Sequence, residues 1–269
     1  MASSTKNVKL GVCKVFFDGI DLGYTQGGVD FSVATQTHKV EIDQFGKTAI
    51  NEYVMGRDAK VKVPLAETTI TNMAVLFPVK SGNAGIEGTT AQRFGVDTGV
   101  GADLLSSAKL LSLHPVSKAD YDFSDDIVIP LANTPGALQF AYKLENERIF
   151  NVDFTGYPDP ASSMLFFAGN PFTDAVGKSF AVASGLTTVL TVATGITAAM
   201  TGKMAMLGAT NATGAFPSGM VGRKLYYIKF ISSTTCSLHN SADEAIAGTG
   251  AVTVGTGSFV SGVSLALLS

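Results

Sequence analysis

Hydrophobic and polar residues alternate with a period of two over much of the first half of the chain. The pattern is clear in residues 39–43 (KVEID) and again in residues 60–65 (KVKVPL). Successive side chains of a strand point to opposite faces of a sheet, so this period is typical of half-buried strands. Residues 44–47 (QFGK) lie between two such stretches. They predict the tip of a long hairpin that spans about residues 35–53.

The same alternation predicts further strands along the whole chain. The strongest of them in the second half is LYYIKFI. The predicted strands cover residues 8–17, 29–34, 108–113, 127–131, 138–144, 148–156 and 225–231. A chain of many short strands separated by Gly, Pro, Asn and Asp is typical of an all-β sandwich or barrel.

One short helix interrupts the strands. Ile70, Met73, Ala74 and Phe77 are spaced i, i+3, i+4 and i+7, which places them on one face of a helix. Thr68 or Thr69 can cap its first turn, and Pro78 ends it. A helix this short is stable only when it packs on a sheet.

The composition of the chain changes near residues 158–180. Residues 1–178 hold 15 basic and 20 acidic side chains, whereas residues 179–269 hold 4 and 2. We therefore predict a mainly β protein with two domains. Residues 1–178 form a β-sandwich or barrel with one flanking short α-helix, and residues 179–269 form a second, smaller all-β domain. The Gly-rich segment 80–103 is aperiodic and long for a loop, which suggests a functional or disordered segment.

The uncharged stretch 180–202 is long enough to span a bilayer. Its many Thr, Ser and Gly residues and its Val/Leu/Thr alternation favour strands instead, so no membrane segment is expected. Charged residues make up only 15% of the chain, well below the usual quarter. Such a low fraction suits a subunit whose surface is largely covered by neighbours.

The sequence offers no catalytic or metal-binding constellation, and we expect neither an enzyme nor a cofactor. The three His residues have no metal-ligand spacing, and both Gly-Lys-Ser/Thr triplets lack the upstream Gly of a phosphate loop. The acidic run Asp120–Asp126 is expected to be a solvated loop or strand edge. A net charge of −3 does not favour tight nucleic-acid binding.

Cys13 and Cys236 are the only cysteines, and they lie at opposite ends of the chain. Two distant thiols form no disulfide framework, so each is expected to be a small buried or half-buried residue. The first seven residues (MASSTKN) lack the apolar run of a signal peptide. Synthesis in a reducing cytoplasm is expected.

The order of these elements resembles a known family. Residues 8–160 resemble the tail tube (major tail) proteins of long-tailed bacteriophages, and the matching stretches cover somewhat over half the chain. Besides the lone helix, they are residues 11–23 (GVCKVFFDGIDLG), 27–31 (GGVDF), 38–46 (HKVEIDQFG), 113–115 (LHP) and 145–154 (ENERIFNVDF).

The resemblance implies six copies closing into a ring, rings stacking into a hollow tube, and contacts between subunits and rings through the long hairpin. It implies an interface at His38, Val40, Ile42, Gln44, Phe45, Lys47, Ile50, Arg93 and Phe94. The N-terminal arm and segment 80–103 are further candidates for segments that order on assembly.

The implied partners are identical copies, a tape measure protein, and tail-tip or terminator proteins. The implied location is the virion, with assembly in the host cytoplasm. DNA would pass through the bore without specific binding, and the acidic first part of the chain suits a bore that repels DNA. Residues 180–269 resemble small β-modules appended to phage structural proteins, which implies a decoration domain on the tube exterior.

Two other functions stay open on the sequence alone. A phage capsid or decoration protein is the nearest structural alternative. A carbohydrate-binding β-module is the other, but such sites use exposed aromatic residues and this chain has no Trp. Tyr226 and Tyr227 could serve that purpose, although their place in a predicted strand favours a core or interface role.

Overall fold

The computed structural model describes most of the chain. The described residues are 5, 8–9, 11–77, 93, 95–136, 139, 142, 147–160, 163–171, 178–182, 188–192, 196–209, 216–255 and 263–267. Within them the protein is mainly β, which confirms the predicted fold class.

Fourteen strands and two short α-helices lie within the described residues. In chain order the strands are β1 (Cys13–Phe17), β2 (Ile20–Asp21), β3 (Asp30–Glu41), β4 (Ala49–Leu65), β5 (Lys109–Pro115), β6 (Ile127–Asn133), β7 (Phe150–Tyr157), β8 (Phe167–Ala168), β9 (Lys178–Val182), β10 (Leu190–Val192), β11 (Met204–Ala209), β12 (Leu225–Ser232), β13 (Thr235–His239) and β14 (Val263–Leu267). The helices are α1 (Ile70–Leu76) and α2 (Ala242–Ala247).

The chain separates into two compact units, each built from separate stretches of sequence. The first unit comprises Met1–Gly23, Lys109–Leu131 and Pro158–Ser269. The second comprises Tyr24–Ala108 and Ala132–Tyr157. Each unit therefore brings together residues that are far apart in the chain.

The first unit contains a sheet in the order β2-β1-β5-β6, with β8 paired to β6. β1 and β5 are antiparallel, and Lys14 lies opposite His114. Val15 and Phe17, two residues apart on β1, are both buried, as a period of two requires. β5 is buried along nearly its whole length, so both of its faces are covered.

The first unit also contains a closed antiparallel barrel of six strands, in the order β10-β13-β12-β11-β14-β9. Alternate residues of its strands point inward and form one apolar core, which is why the Val/Thr/Leu-rich stretches fold as strands. Core residues on the described part of this barrel are Leu190, Val192, Ile196, Ala205, Leu207, Met220, Tyr226, Ile228, Cys236, Leu238, Val254 and Leu265.

The second unit contains the strands β7, β4 and β3 in that order. The end of β4 pairs with β7, with Val63 opposite Val152 and Val61 opposite Phe154. All four of these side chains are buried, so this part of β4 has one covered face. This burial of one face explains why hydrophobic and polar residues alternate over residues 60–65 of the sequence.

The predicted helix is confirmed as α1. The Thr69 side-chain oxygen accepts a hydrogen bond from the Asn72 backbone N–H at 3.1 Å, which caps the first turn. Met73, Ala74 and Phe77 are buried, as their spacing predicted. Because its seven residues are too few for an isolated helix, α1 depends on this packing.

The uncharged stretch 180–202 contains strands, as predicted: β9 and β10 cover part of it. The predicted domain boundary at 178/179 falls in β9. The first compact unit combines the barrel with Met1–Gly23 and Lys109–Leu131. The division into consecutive domains stays a prediction. α2 was not predicted, and it places a helix in the part expected to be all-β.

Two predicted segments are only partly covered by the structure. Of residues 138–144, predicted as a strand, only 139 and 142 are described. Of the Gly-rich segment 80–103, the structure describes residue 93 and residues 95–103. Phe94 lies outside the described residues. Most of the N-terminal residues that were expected to order on assembly also lie outside them.

Candidate functional site: an exposed hairpin arm

The part of the second unit most open to a partner is the distal end of the β3–β4 hairpin, residues 33–58, called the arm below. β3 and β4 pair with each other along the hairpin. Within the described residues, β7 pairs with β4 only over Lys60–Leu65, and β3 pairs with no other strand. The arm is therefore a two-stranded ribbon roughly 30 Å long, at about 3.3 Å per residue.

Both faces of the arm are open to solvent. Opposite residues of an antiparallel pair lie on one face, and neighbours along a strand lie on alternate faces. Thr37 lies opposite Val54 on one face, and His38 lies opposite Tyr53 on the other. Val54 is 56% exposed and Tyr53 is 59% exposed. Neither face is covered by other described residues, although each carries a large apolar side chain.

Exposed apolar side chains are concentrated on the arm. It holds six of the twenty large hydrophobic side chains that are exposed among the described residues, in only 26 residues. They are Val33, Phe45, Ile50, Tyr53, Val54 and Met55. A lone two-stranded ribbon is marginally stable in water, and burying apolar area releases about 25 cal/mol per Å². The arm therefore carries apolar area that a partner could cover.

The tip of the arm is a tight turn that presents an aromatic ring. A single 3-10 turn spans Asp43–Phe45, and the Gly46 N–H donates to the Asp43 carbonyl oxygen at 3.3 Å. Gly46 has a φ of 63°, in the left-handed region where glycine is favoured. Phe45 remains 63% exposed at this tip. The predicted hairpin tip at residues 44–47 is confirmed.

Charges on the arm are nearly balanced. Residues 33–58 include three basic and four acidic side chains. Lys39 lies opposite Glu52, whose carboxylate also accepts a hydrogen bond from the Thr37 hydroxyl. A surface with both signs interspersed does not repel a second copy of itself, so its charge pattern permits contact between identical arms.

Two irregularities interrupt the β3–β4 ladder. The register shifts between Gln36 and Thr37 and again between Val40 and Glu41. Such bulges increase the local twist of a ribbon and are common where a strand edge must avoid indiscriminate pairing. The two bulges therefore disfavour indiscriminate pairing of another strand with the open side of β3.

The structure brings most of the predicted interface residues together. Seven of the nine lie on the arm: His38, Val40, Ile42, Gln44, Phe45, Lys47 and Ile50. Val40 and Ile42 are partly buried, and the other five are exposed. Arg93 is exposed and lies outside the arm, in the same unit, while Phe94 is not described. The interface role of all nine residues stays a prediction.

Sequence reasoning missed a buried charge cluster in the first unit. Arg223, in the turn before β12, forms an ion pair with the fully buried Asp126. The prediction of a solvated acidic run is therefore wrong for Asp126, because this carboxylate has a guanidinium partner in place of water. The two residues are 97 positions apart, and no local pattern connects them.

The rest of the acidic run is closer to the prediction. Asp122 is partly exposed; hydrogen bonds from Ser124 and from Lys118 lower the pKa of its carboxyl to about 2. Asp120 is exposed, and the Lys14 ammonium beside it lowers its pKa. These carboxylates form surface ion pairs, each of which contributes at most about 1 kcal/mol.

The two cysteines lie where they were expected. Cys13 is half-buried and Cys236 is buried in the barrel. Burial raises the pKa of the Cys13 thiol, and it raises the pKa of Cys236 to about 11. Because the thiolate is the reactive form, both thiols are poor nucleophiles at neutral pH.

The described residues contain neither a cluster of metal ligands nor a membrane-spanning helix. In that part of the chain, no three His, Cys, Asp or Glu side chains are grouped so that they could hold a metal ion. Nor does either helix there have the length and apolar character needed to cross a membrane.

No protein-family model matches the chain, and no curated protein matches it. Its function is therefore proposed from its own residues.

Proposed function

We propose that this chain is a structural protein that assembles with copies of itself through the arm. The observation that carries the proposal is a roughly 30 Å ribbon with exposed apolar side chains on both faces. With a width of about 10 Å for two strands, its two faces offer about 600 Å². A stable protein–protein interface buries about 800 Å² per partner, so the arm could supply most of one.

The favoured occupant of the arm is a second copy of this chain. The nearly balanced charges on residues 33–58 do not repel a second copy. A ribbon open on both faces also needs two covering surfaces, and neighbouring copies in a regular assembly supply both. A head-to-tail contact between copies closes into a ring or continues into a filament.

The particular protein that we propose is a tail tube subunit of a long-tailed bacteriophage. The support is the order of elements in residues 8–160, with an early strand and turn, a long hairpin, one short helix and further strands, which resembles that family. Rings, with six copies expected, would stack into a hollow tube through which DNA passes without specific binding. The tape measure protein and the tail-tip or terminator proteins would be further partners in the virion.

The barrel would have a different role from the arm. Its strands come from residues 178–267, beyond the part that resembles the tube family. In a stacked tube such a module would lie on the exterior as a decoration.

The test is to shorten the arm without disturbing the rest of the second unit. Replacing residues 38–53 by Asn-Gly joins Thr37 to Val54, which already lie opposite each other, through a favoured two-residue turn. A matched control replaces the exposed barrel turn Ser233–Thr234 by Asn-Gly. Each protein is concentrated with and without purified tail tips, and its products are followed by sedimentation and electron microscopy.

We expect rings and hollow filaments from the wild-type and control proteins, and a folded monomer from the shortened variant. Tubes from the shortened variant would refute the role of the arm. Closed shells would indicate a capsid protein instead. A wild-type protein that stays monomeric in every condition and binds a glycan array would indicate a carbohydrate-binding module.

A further inference from the structure

The guanidinium of Arg223 lies in a pocket formed by the sheet of the first unit. The pocket residues come from β1, β5 and the connection that leads into β6, whereas Arg223 comes from the barrel side. The guanidinium carbon is 4.3 Å from the centre of the Phe123 ring and 5.0 Å from that of Phe16. Two aromatic rings at these distances favour a planar cation.

The rim of the pocket consists of hydrogen-bond acceptors. Arg223 Nη1 forms the ion pair with Asp126 and donates to Ser112 Oγ at 2.8 Å. Nη2 donates to the backbone carbonyl oxygen of Asp120 at 3.0 Å. Ser112 and Asp126 are fully buried, so water does not compete for these bonds. The acceptors match the fork of a guanidinium group and not the single ammonium of lysine.

A buried histidine holds the Asp126 carboxylate in place. His114 Nδ1 lies 2.7 Å from Asp126 Oδ1. Arg223 Nη2 lies 3.0 Å from the same nitrogen, so His114 Nδ1 contacts both members of the ion pair. The other carboxylate oxygen is then left to face Arg223. Apart from Arg223 itself, the residues of the site all come from β1, β5 and the connection that leads into β6.

The backbone of Arg223 indicates that its side chain is needed in this turn. Its φ is 56°, in the left-handed region that non-glycine residues rarely adopt. Glycine is the usual residue in such a position. An arginine here is strained, and the contacts of its side chain offset that strain.

We infer that the sheet of the first unit carries a guanidinium-binding site, that Arg223 fills it from within the same chain, and that this contact fixes the barrel on the sheet. The contacts of this one side chain therefore hold the barrel against the sheet. This inference is independent of the assembly through the arm, because all of its residues lie in the first unit.

The experiment removes the arginine and supplies its head group from solution. Arg223→Gly deletes the side chain and suits the left-handed backbone, so the empty site is the main change. We expect its Tm to fall by about 5 °C or more, because Asp126 loses its partner. Methylguanidinium at about 10 mM should raise the Tm of this variant by a few degrees and leave the wild type unchanged or slightly lower, because only the variant has an empty site.

Two controls make the result specific. Methylammonium at the same concentration should not raise the Tm of Arg223→Gly, since it lacks the planar fork. The double variant Arg223→Gly/Asp126→Asn should lose the response to methylguanidinium. If Arg223→Gly does not fold alone, its refolding yield with and without methylguanidinium gives the same readout.

Calorimetric titration of methylguanidinium gives a second measurement. Binding to Arg223→Gly and not to the wild type would support the inference. Equal binding to both proteins, equal rescue by methylammonium, or no response of the variant in either Tm or refolding yield would overturn it.

Discussion

His38 and Tyr53 lie opposite each other across the two strands of the arm, and both side chains are exposed. In most sheets, cross-strand pairs at the exposed face are polar, and the apolar pairs lie on the covered face. The proposed assembly through the arm would cover this exposed tyrosine.

The first prediction concerns this apolar surface. The double substitution Tyr53→Ser and Met55→Ser should leave the stability of the monomer within about 0.5 kcal/mol of the wild type, because both side chains are exposed. It should abolish or greatly slow filament formation, as measured by sedimentation. Ile246→Ser is a matched control, since Ile246 is 65% exposed on the barrel side and lies outside the arm. Equal assembly of the double variant and the control would contradict the prediction.

A second prediction concerns a close contact in the barrel. Gly219 has a φ of 88°, and a Cβ atom there would lie 2.3 Å from the Thr253 carbonyl oxygen. Gly219→Ala should therefore destabilise the fold by about 2 kcal/mol or more, measured by urea unfolding. Gly56→Ala is the matched control, because a Cβ at Gly56 meets no atom within 4 Å. A stability within error of the wild type for Gly219→Ala would show that this turn rearranges freely.

A third prediction concerns acid unfolding. Hydrogen bonds lower the pKa of Asp122 in the folded protein to about 2, from an ordinary value of 3.8. Its ionised form therefore stabilises the fold above about pH 4, and this stabilisation is lost as the pH falls through 2. The wild type should be more stable than Asp122→Asn at pH 6, and the difference should shrink steadily between pH 4 and 2. Asp30→Asn removes the same charge from an exposed position on β3 and is the control. An equal trend in both variants would point to net charge instead.

A fourth prediction concerns the thiols. With a pKa near 11, Cys236 has a thiolate fraction of about one in a thousand at pH 8, and it is also buried. In native protein, iodoacetamide at pH 8 should label Cys13 slowly and leave Cys236 unlabelled, as measured by mass spectrometry of peptides. In urea both should label rapidly. Native labelling of Cys236 at the rate of Cys13 would mean that the barrel opens frequently.

Local patterns predicted local structure well. The spacing of Met73, Ala74 and Phe77 located α1, and Thr69 marked its first turn. The alternation of residues 60–65 located the covered end of β4. In these cases the physical cause acts over a few residues, so the sequence carries the whole signal.

One missed helix did leave a local signal. Ser241 caps α2 by accepting a hydrogen bond from the Glu244 N–H at 3.2 Å, and Gly248 ends the helix in the left-handed conformation. Ser followed three residues later by Glu, with Gly just beyond, is a recognised start and stop pattern. The helix has only six residues, too few for a hydrophobic period to become visible.

Long-range pairing could not be predicted in the same way. Asp126 looked like a member of a solvated acidic run, because its neighbours in sequence are Asp120, Asp122 and Asp125. In the folded protein it is buried in an ion pair with Arg223, which lies 97 positions away and so leaves no local signal. Among the predicted interface residues, seven could be placed on one hairpin because the hairpin itself is a local structure, whereas Arg93 had no such context.

The closure of the barrel limits where another chain could pair with this one. Each barrel strand has hydrogen-bonded neighbours on both sides, so the described barrel strands present no long free edge on which another chain could grow. The twelve-residue β3 is the long strand with one open side in the described part of the chain. Under the proposed assembly through the arm, a short peptide that binds the open side of β3 reversibly would be sufficient to delay it.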